Sequence, residues 1–190
     1  MNIQLRTRLI YLMCLAAMLG GLAPPALAQD GKIFLPLVVG GSSGVNNAGF
    51  EEGYTGWGWY PGGTMLTQVY ARSGAYSAVL GDGNHYRFAQ ITQQVMIPAA
   101  SPYLVFYRRM TSSDICGANP KLLDYMAVTI NNIEVFIEGV CANNSSSSWV
   151  RKSINLAGYG GQSVQLAFQF GSDSSLQSWL YVDDVQFGNN

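Results

Sequence analysis

The chain has 190 residues, of which 48% are hydrophobic and 11% charged, and ten Lys and Arg stand against eleven Asp and Glu for a formal net charge of −1. So apolar and nearly neutral a composition excludes an intrinsically disordered chain, which needs low hydrophobicity and high net charge, and a basic nucleic-acid binder, which needs a surplus of Lys and Arg. Aromatic residues at 12%, abundant glycine, and clusters of Gly, Pro, Asn and Ser between apolar runs point to a β-rich domain rather than a helical bundle.

The N-terminus reads as an address. Arg6 and Arg8 precede an almost wholly apolar stretch from Leu9 to Leu22, which closes with Ala26-Leu27-Ala28, a small-residue cleavage pattern. This predicts a secretory signal peptide over residues 1–28, and hence a secreted, extracellular protein with no membrane span after cleavage. An uncleaved anchor is the alternative, because the apolar stretch approaches the ~20 residues that a span needs. Cys14 follows Met13 rather than the small residue that precedes a lipid-modified cysteine, and reads as one more apolar residue of the leader. Losing Arg6 and Arg8 leaves the mature chain mildly acidic, so nucleic acid and anionic lipid are not expected as partners.

Residues 29–45 are expected to form an extended segment and linker. Pro36 interrupts the apolar run 33–39, and Gly40-Gly41-Ser42-Ser43-Gly44 has linker composition. The last five residues also spell G-x-S-x-G. A nucleophile elbow needs a helix after that pattern and a histidine partner, whereas here Val45-Asn46-Asn47-Ala48-Gly49 follows and the only histidine is His85.

From residue 46 onward apolar residues alternate with polar ones and no helical period is sustained. Strands are predicted over 65–70, 76–80, 87–97, 103–110, 125–130, 133–138, 148–154, 162–171 and 178–187, separated by Gly, Asn or Pro clusters. Strands at this spacing without intervening helices imply antiparallel pairing in an all-β sandwich or barrel. Asn131-Asn132 between two alternating runs predicts a tight hairpin, since Asn tolerates the positive φ such turns require. Leu104, Phe106 and Arg108 fall on one side of their strand, with Tyr103, Val105, Tyr107 and Arg109 on the other. Val164, Leu166, Phe168 and Phe170 form the apolar side of theirs. On the polar sides Gln90, Gln94, Gln165 and Gln169, with Tyr107 and Arg109, have the hydrogen-bonding groups to meet a neutral polyhydroxylated ligand; an ordinary solvated sheet face has the same pattern. Cys116 and Cys141 are the two cysteines of the mature chain, and an oxidising compartment favours a disulfide between them over a metal site or a nucleophile.

Four stretches in order resemble the jelly-roll modules of the galactose-binding-like superfamily, in particular carbohydrate-binding modules of the family 4, 9 and 22 type. They are Asn47-Ala48-Gly49-Phe50-Glu51-Glu52-Gly53 with Gly56-Trp57, then Arg72-Ser73-Gly74-Ala75-Tyr76-Ser77, then Ile91 to Pro98 with Tyr103 to Tyr107, and finally Trp179 to Phe187 containing Val182-Asp183-Asp184-Val185. The resemblance covers about residues 46 to 188 and implies an antiparallel jelly-roll β-sandwich. It further implies a structural Ca²⁺ that joins the first and last strands, with Glu51 and Asp183 as carboxylate ligands, Asp184 as neighbour or substitute, and carbonyls of residues 72–74 completing the shell. Such an ion prefers several oxygens at once, and acids distant in sequence meet where terminal strands pair.

Sugar-binding relatives stack aromatic rings on the ligand, on a sheet face or at a loop edge. Trp57 matches the family's structural tryptophan and is expected in the core. Trp59, Tyr86, Tyr107, Arg109 and Gln169 are the expected ligand contacts. Catalysis is not expected: Glu134 and Glu138 on one strand would stand about 13 Å apart, beyond the separation at which a glycosidase pair works. The function expected is that of a secreted, non-catalytic module that recognises a neutral polysaccharide or glycan. The alternative is a structural or adhesive envelope protein that uses the same sandwich to contact other envelope proteins.

Overall fold

The structure, a computed structural model, describes residues 44–60, 64–83 and 88–190. The predicted signal peptide, nearly all of the segment 29–45, and His85 and Tyr86 lie outside these residues. Ten strands are present among the described residues: β1 (Gly58–Trp59), β2 (Thr64–Thr67), β3 (Ser77–Gly83), β4 (Phe88–Met96), β5 (Tyr103–Ser112), β6 (Tyr125–Ile130), β7 (Ile133–Gly139), β8 (Val150–Asn155), β9 (Ser163–Gly171) and β10 (Ser178–Gly188). They form two five-stranded antiparallel sheets, in the order β1-β4-β9-β6-β7 and β2-β3-β10-β5-β8. This is the expected all-β sandwich.

Alternation explains why the two sheets face each other. Val164, Leu166, Phe168 and Phe170 of β9 and Leu104, Phe106 and Met110 of β5 are all fully buried. Burying side chains of this size contributes about 1.5–3 kcal/mol each. Phe106 of the second sheet meets Phe168 of the first edge to face, with ring centroids 4.9 Å apart. Trp57 packs beneath Phe168 at 6.3 Å and against Phe50 at 5.2 Å. Its indole Nε1 donates to the Asn47 carbonyl at 3.1 Å, so the ring is buried as expected without an orphaned donor.

Strand ends differ from the sequence reading by a residue or two, except at three places. The predicted strand 65–70 ends at Thr67, the predicted strand 76–80 runs on to Gly83, and β1 is not predicted, because two residues carry no alternation to read. The hairpin forms as expected: Ile130 pairs with Ile133, and Asn131 and Asn132 take φ of 50° and 65°. Asn132→Val is therefore expected to cost about 1–2 kcal/mol, since a β-branched residue resists positive φ; urea unfolding of the variant measures it.

Cys116 and Cys141 form a disulfide with Cα atoms 5.1 Å apart and a sequence separation of 25. A closed loop of this length stabilises the fold by roughly 3–4 kcal/mol in the chain-entropy treatment.

Candidate functional site

The outer face of the first sheet carries the groups suited to a flat polar ligand. Gln90 of β4 lies opposite Gln169 of β9, and Gln169 lies opposite Ala127 of β6, so register places all three on one face. The Gln169 amide donates to the Gln90 side-chain oxygen at 3.1 Å. Ala127, Ala167 and Gly171 keep the middle of this face low. Thr129, opposite Ala167, is buried there, and its hydroxyl has no hydrogen-bond partner among the described residues.

Aromatic rings border one end of that floor. Phe88 and Tyr125 both pair with Gly171 from opposite sides, two strand spacings or about 10 Å apart. Tyr125 leans over Gly171, where a Cβ would run into its ring. Beyond Phe88, the Tyr60 amide donates to the Gln90 carbonyl, which places Tyr60 on the same face. Its ring meets Phe88 edge to face at 5.9 Å and is 56% exposed. Trp59 stands at the sheet edge, 48% exposed and stacked on Tyr54 at 5.3 Å.

The expected contacts do not all come together. Gln169 and Trp59 belong to the first sheet, whereas Tyr107 and Arg109 point from the outer face of the second. There the Arg72 guanidinium lies 3.5 Å from the centre of the Tyr107 ring, and Arg109 lies 3.9 Å from that of Tyr70 and donates to the Ser147 carbonyl. Both are engaged within the protein. Tyr86 lies outside the described residues. Tyr60, Phe88 and Tyr125 were not among the expected contacts; the parity that groups Phe88 with Gln90 and Tyr125 with Ala127 was the available signal.

Glu51, Asp183 and Asp184 converge, as the resemblance implied, around Gly49. A Cβ added at Gly49 would stand 3.5 Å from an Asp184 carboxylate oxygen, 3.6 Å from one of Asp183, and 3.9 Å from the Glu51 Cγ. A register shift between Asp183 and Gln186, with Asp184 at φ 48°, turns both acids of β10 toward this point. Asp183 is fully buried and accepts from the backbone amides of Arg72 at 2.7 Å and Asp184 at 2.7 Å. Burial pushes its carboxyl up to about 6, against the pull of the Arg72 amide and with Asp184's charge adding to the rise. Asp184 is paired with the Arg72 guanidinium and the Ser73 hydroxyl, each at 2.6 Å. Glu51 accepts from the amides of Ala75 and Tyr76. Gly74, at φ 59°, leaves room for that carboxylate, which a Cβ would strike. The set is all oxygen, which suits a hard ion such as Ca²⁺. Its oxygens are already engaged by backbone amides, the Ser73 hydroxyl and the Arg72 guanidinium, so an ion here would have to displace some of those donors.

Neither acid considered for hydrolysis faces the other. Glu134 pairs with Lys121 at 2.8 Å, and Glu138 turns inward to Arg108 at 2.7 Å and Lys152 at 2.9 Å. Among the described residues no helix is long and apolar enough to cross a membrane.

No family model matches this sequence, and no curated protein matches it. Solved structures do match. A carbohydrate-binding module of family 61, solved with β-1,4-galactotriose, superposes with a TM-score of 0.56 at 15% identity, over 76% of this chain and 97% of that one. A family 28 module specific for non-crystalline cellulose gives 0.54 at 14% identity, over 77% and 95%. The K3 cleaved adhesin domain of Lys-gingipain from Porphyromonas gingivalis gives 0.53 at 16% identity, over 77% and 99%. The chain thus has the jelly-roll fold that these carbohydrate-binding modules share with the adhesin domain.

Proposed function

We propose that this chain is a secreted, non-catalytic carbohydrate-binding module that takes a neutral polysaccharide on the outer face of its first sheet. The observation that carries this reading is the aromatic border of Tyr60, Phe88 and Tyr125 beside the Gln90–Gln169 amide pair. Sugars offer C–H patches to ring faces and hydroxyls to amides, and this face presents both without a charged side chain among those groups. Trp59 lies opposite Ile91, whose side chain faces the core, so its ring stands on the other side of β1 from this border. Tyr107 and Arg109, already stacked on partners of their own, serve the second sheet.

Glu51, Asp183 and Asp184 would hold a structural Ca²⁺. The ion would neutralise the buried Asp183 and tie the segment before β1 to β10, leaving the sugar face to the protein's own side chains.

Affinity electrophoresis against xylan, β-glucan, mannan, pectin and starch tests the proposal. One polymer is expected to retard the parent, and Tyr60→Ala to weaken that retardation about tenfold in Kd, or ~1.4 kcal/mol. Tyr107→Ala is expected to leave it unchanged. Retardation that survives Tyr60→Ala and fails with Tyr107→Ala would move the site to the second sheet. The adhesive reading is favoured by the short edge strand β2 with Met65 half exposed and Val69 exposed beyond it; a folded protein retarded by no polymer would favour it.

A further inference from the structure

A second group of acids lies at the end of the sandwich where the aromatic border stands. Asp114 follows the end of β5, Asp124 immediately precedes β6, and Asp173 follows the end of β9. The first belongs to one sheet's connections and the other two to the opposite sheet's. One carboxylate oxygen from each lies within 4.8 Å of the others. Oxygens that share a Ca²⁺ at about 2.4 Å can be no further apart than twice that distance, so this spacing admits one ion among all three.

Carboxylates cluster on protein surfaces without metal, but two of these are not on the surface. Asp114 is 3% exposed and Asp124 1% exposed. The Oδ2 atom of each is buried with no hydrogen-bond partner among the described residues. An unpartnered buried carboxylate oxygen is costly, and two of them beside a third acid repel as well. A divalent cation removes both costs at once. The set contains no sulfur or imidazole, which selects a hard ion over zinc or copper.

The neighbourhood holds these groups still. Asp114's carbonyl accepts from the Ala142 amide at 2.9 Å and Asp124's from the Val140 amide at 2.8 Å, the two residues that flank Cys141. The Cys116–Cys141 disulfide closes the same corner. The Asp124 Oδ1 atom accepts from the Asp173 amide at 3.0 Å, and Asp173 Oδ1 from the Ser175 amide at 2.7 Å. The Asp114 Oδ1 atom accepts from the Ile115 amide at 2.7 Å. Each acid thus keeps one oxygen for the backbone, which fixes its direction.

We propose that Asp114, Asp124 and Asp173 form a Ca²⁺ site that clamps the two sheets together at this end, separate from the Glu51–Asp183–Asp184 cluster. On β10, Ser178 lies opposite Ser112 and Asp183 opposite Tyr107, so the two clusters are separated by about five residues of strand, or ~17 Å. The exposed Asp173 leaves the ion open to solvent on one side, where water completes the shell.

The test is calorimetric titration of the EDTA-treated chain with CaCl₂, and separately with MgCl₂, for the parent, Asp114→Asn, Asp173→Asn and Glu51→Gln. Asp114→Asn is expected to lose one bound Ca²⁺ per chain, and Asp173→Asn to weaken that ion at least tenfold. Glu51→Gln is expected to leave this ion in place, which separates it from the other cluster. Asp114→Asn is further expected to melt higher than the parent in EDTA, because an unpartnered buried charge is gone, and lower than the parent in Ca²⁺. That reversal would not arise from packing damage. Unchanged stoichiometry and Kd in both Asp114→Asn and Asp173→Asn, with near-UV dichroism showing them folded, would overturn the proposal, as would tighter binding of Mg²⁺ than of Ca²⁺ at this site.

Discussion

Glu138→Ala is expected to lower stability by about 3–5 kcal/mol, a change that urea unfolding at pH 7 measures directly. The reason lies in the parity of β5. Arg108 shares its side of the strand with Leu104 and Phe106, so its guanidinium is carried between the sheets, where its side chain is only 5% exposed. It is tolerated there because Glu138 of β7 reaches it from the opposite sheet with two hydrogen bonds, at 2.7 and 3.3 Å. The Asn144 carbonyl accepts a further one at 3.3 Å, and Lys152 shares the carboxylate at 2.9 Å. Removing Glu138 leaves a buried, always-charged group beside a second cation, which is the expensive way to break a buried pair. Removing both charges is different: Arg108→Leu with Glu138→Leu is expected to come within about 1 kcal/mol of the parent, because the desolvation penalty vanishes with the attraction. A single Glu138→Ala cost below about 1 kcal/mol would show that water reaches the pair and screens it.

The second large effect concerns Ca²⁺ at Glu51, Asp183 and Asp184. Asp183 in the folded chain titrates near 6, above its usual 3.8. The folded state therefore keeps a proton that the unfolded chain releases, and without Ca²⁺ this group's contribution is best at and below the unfolded value and is lost as pH rises through about 6. A bound Ca²⁺ acts in the opposite sense, since it needs the ionised carboxylates. The gap in Tm between 2 mM CaCl₂ and EDTA is expected to be small at pH 4 and to widen to its full size above pH 6. At 100-fold excess over Kd, mass action alone gives about 2.7 kcal/mol for one ion. Asp183→Asn is expected to shrink the gap at pH 7 and to flatten the pH dependence in EDTA. A Tm at pH 7 that is the same in CaCl₂ and in EDTA would rule the ion out at this cluster.

Much of the architecture was legible in the chain. Alternation of apolar residues marks the side of each longer strand that faces inward, because successive side chains of a strand point to opposite sides, and the Asn131-Asn132 pair marks its hairpin by φ alone. The ordered resemblance of four segments, which includes Trp57, Glu51 and Asp183-Asp184, reached the jelly roll and the packing of Trp57. The pairing of Cys116 with Cys141 followed from compartment and number.

What the chain did not reveal is which strands become neighbours. Alternation separates the two sides of one strand and says nothing of the sheet that strand joins, so Gln169 and Tyr107 read as one polar face although β9 and β5 lie in opposite sheets. The same gap hid the aromatic border, since Phe88 and Tyr125 meet only because β4 and β6 both pair with β9 at Gly171. It also hid Asp114, Asp124 and Asp173, whose sequence spacing matches no metal-binding loop. Two of them meet through the pairing of β6 with β9, and the third is brought to them by a disulfide-held turn from the other sheet. Local chemistry determines what each residue can do, whereas long-range pairing decides which residues do it together.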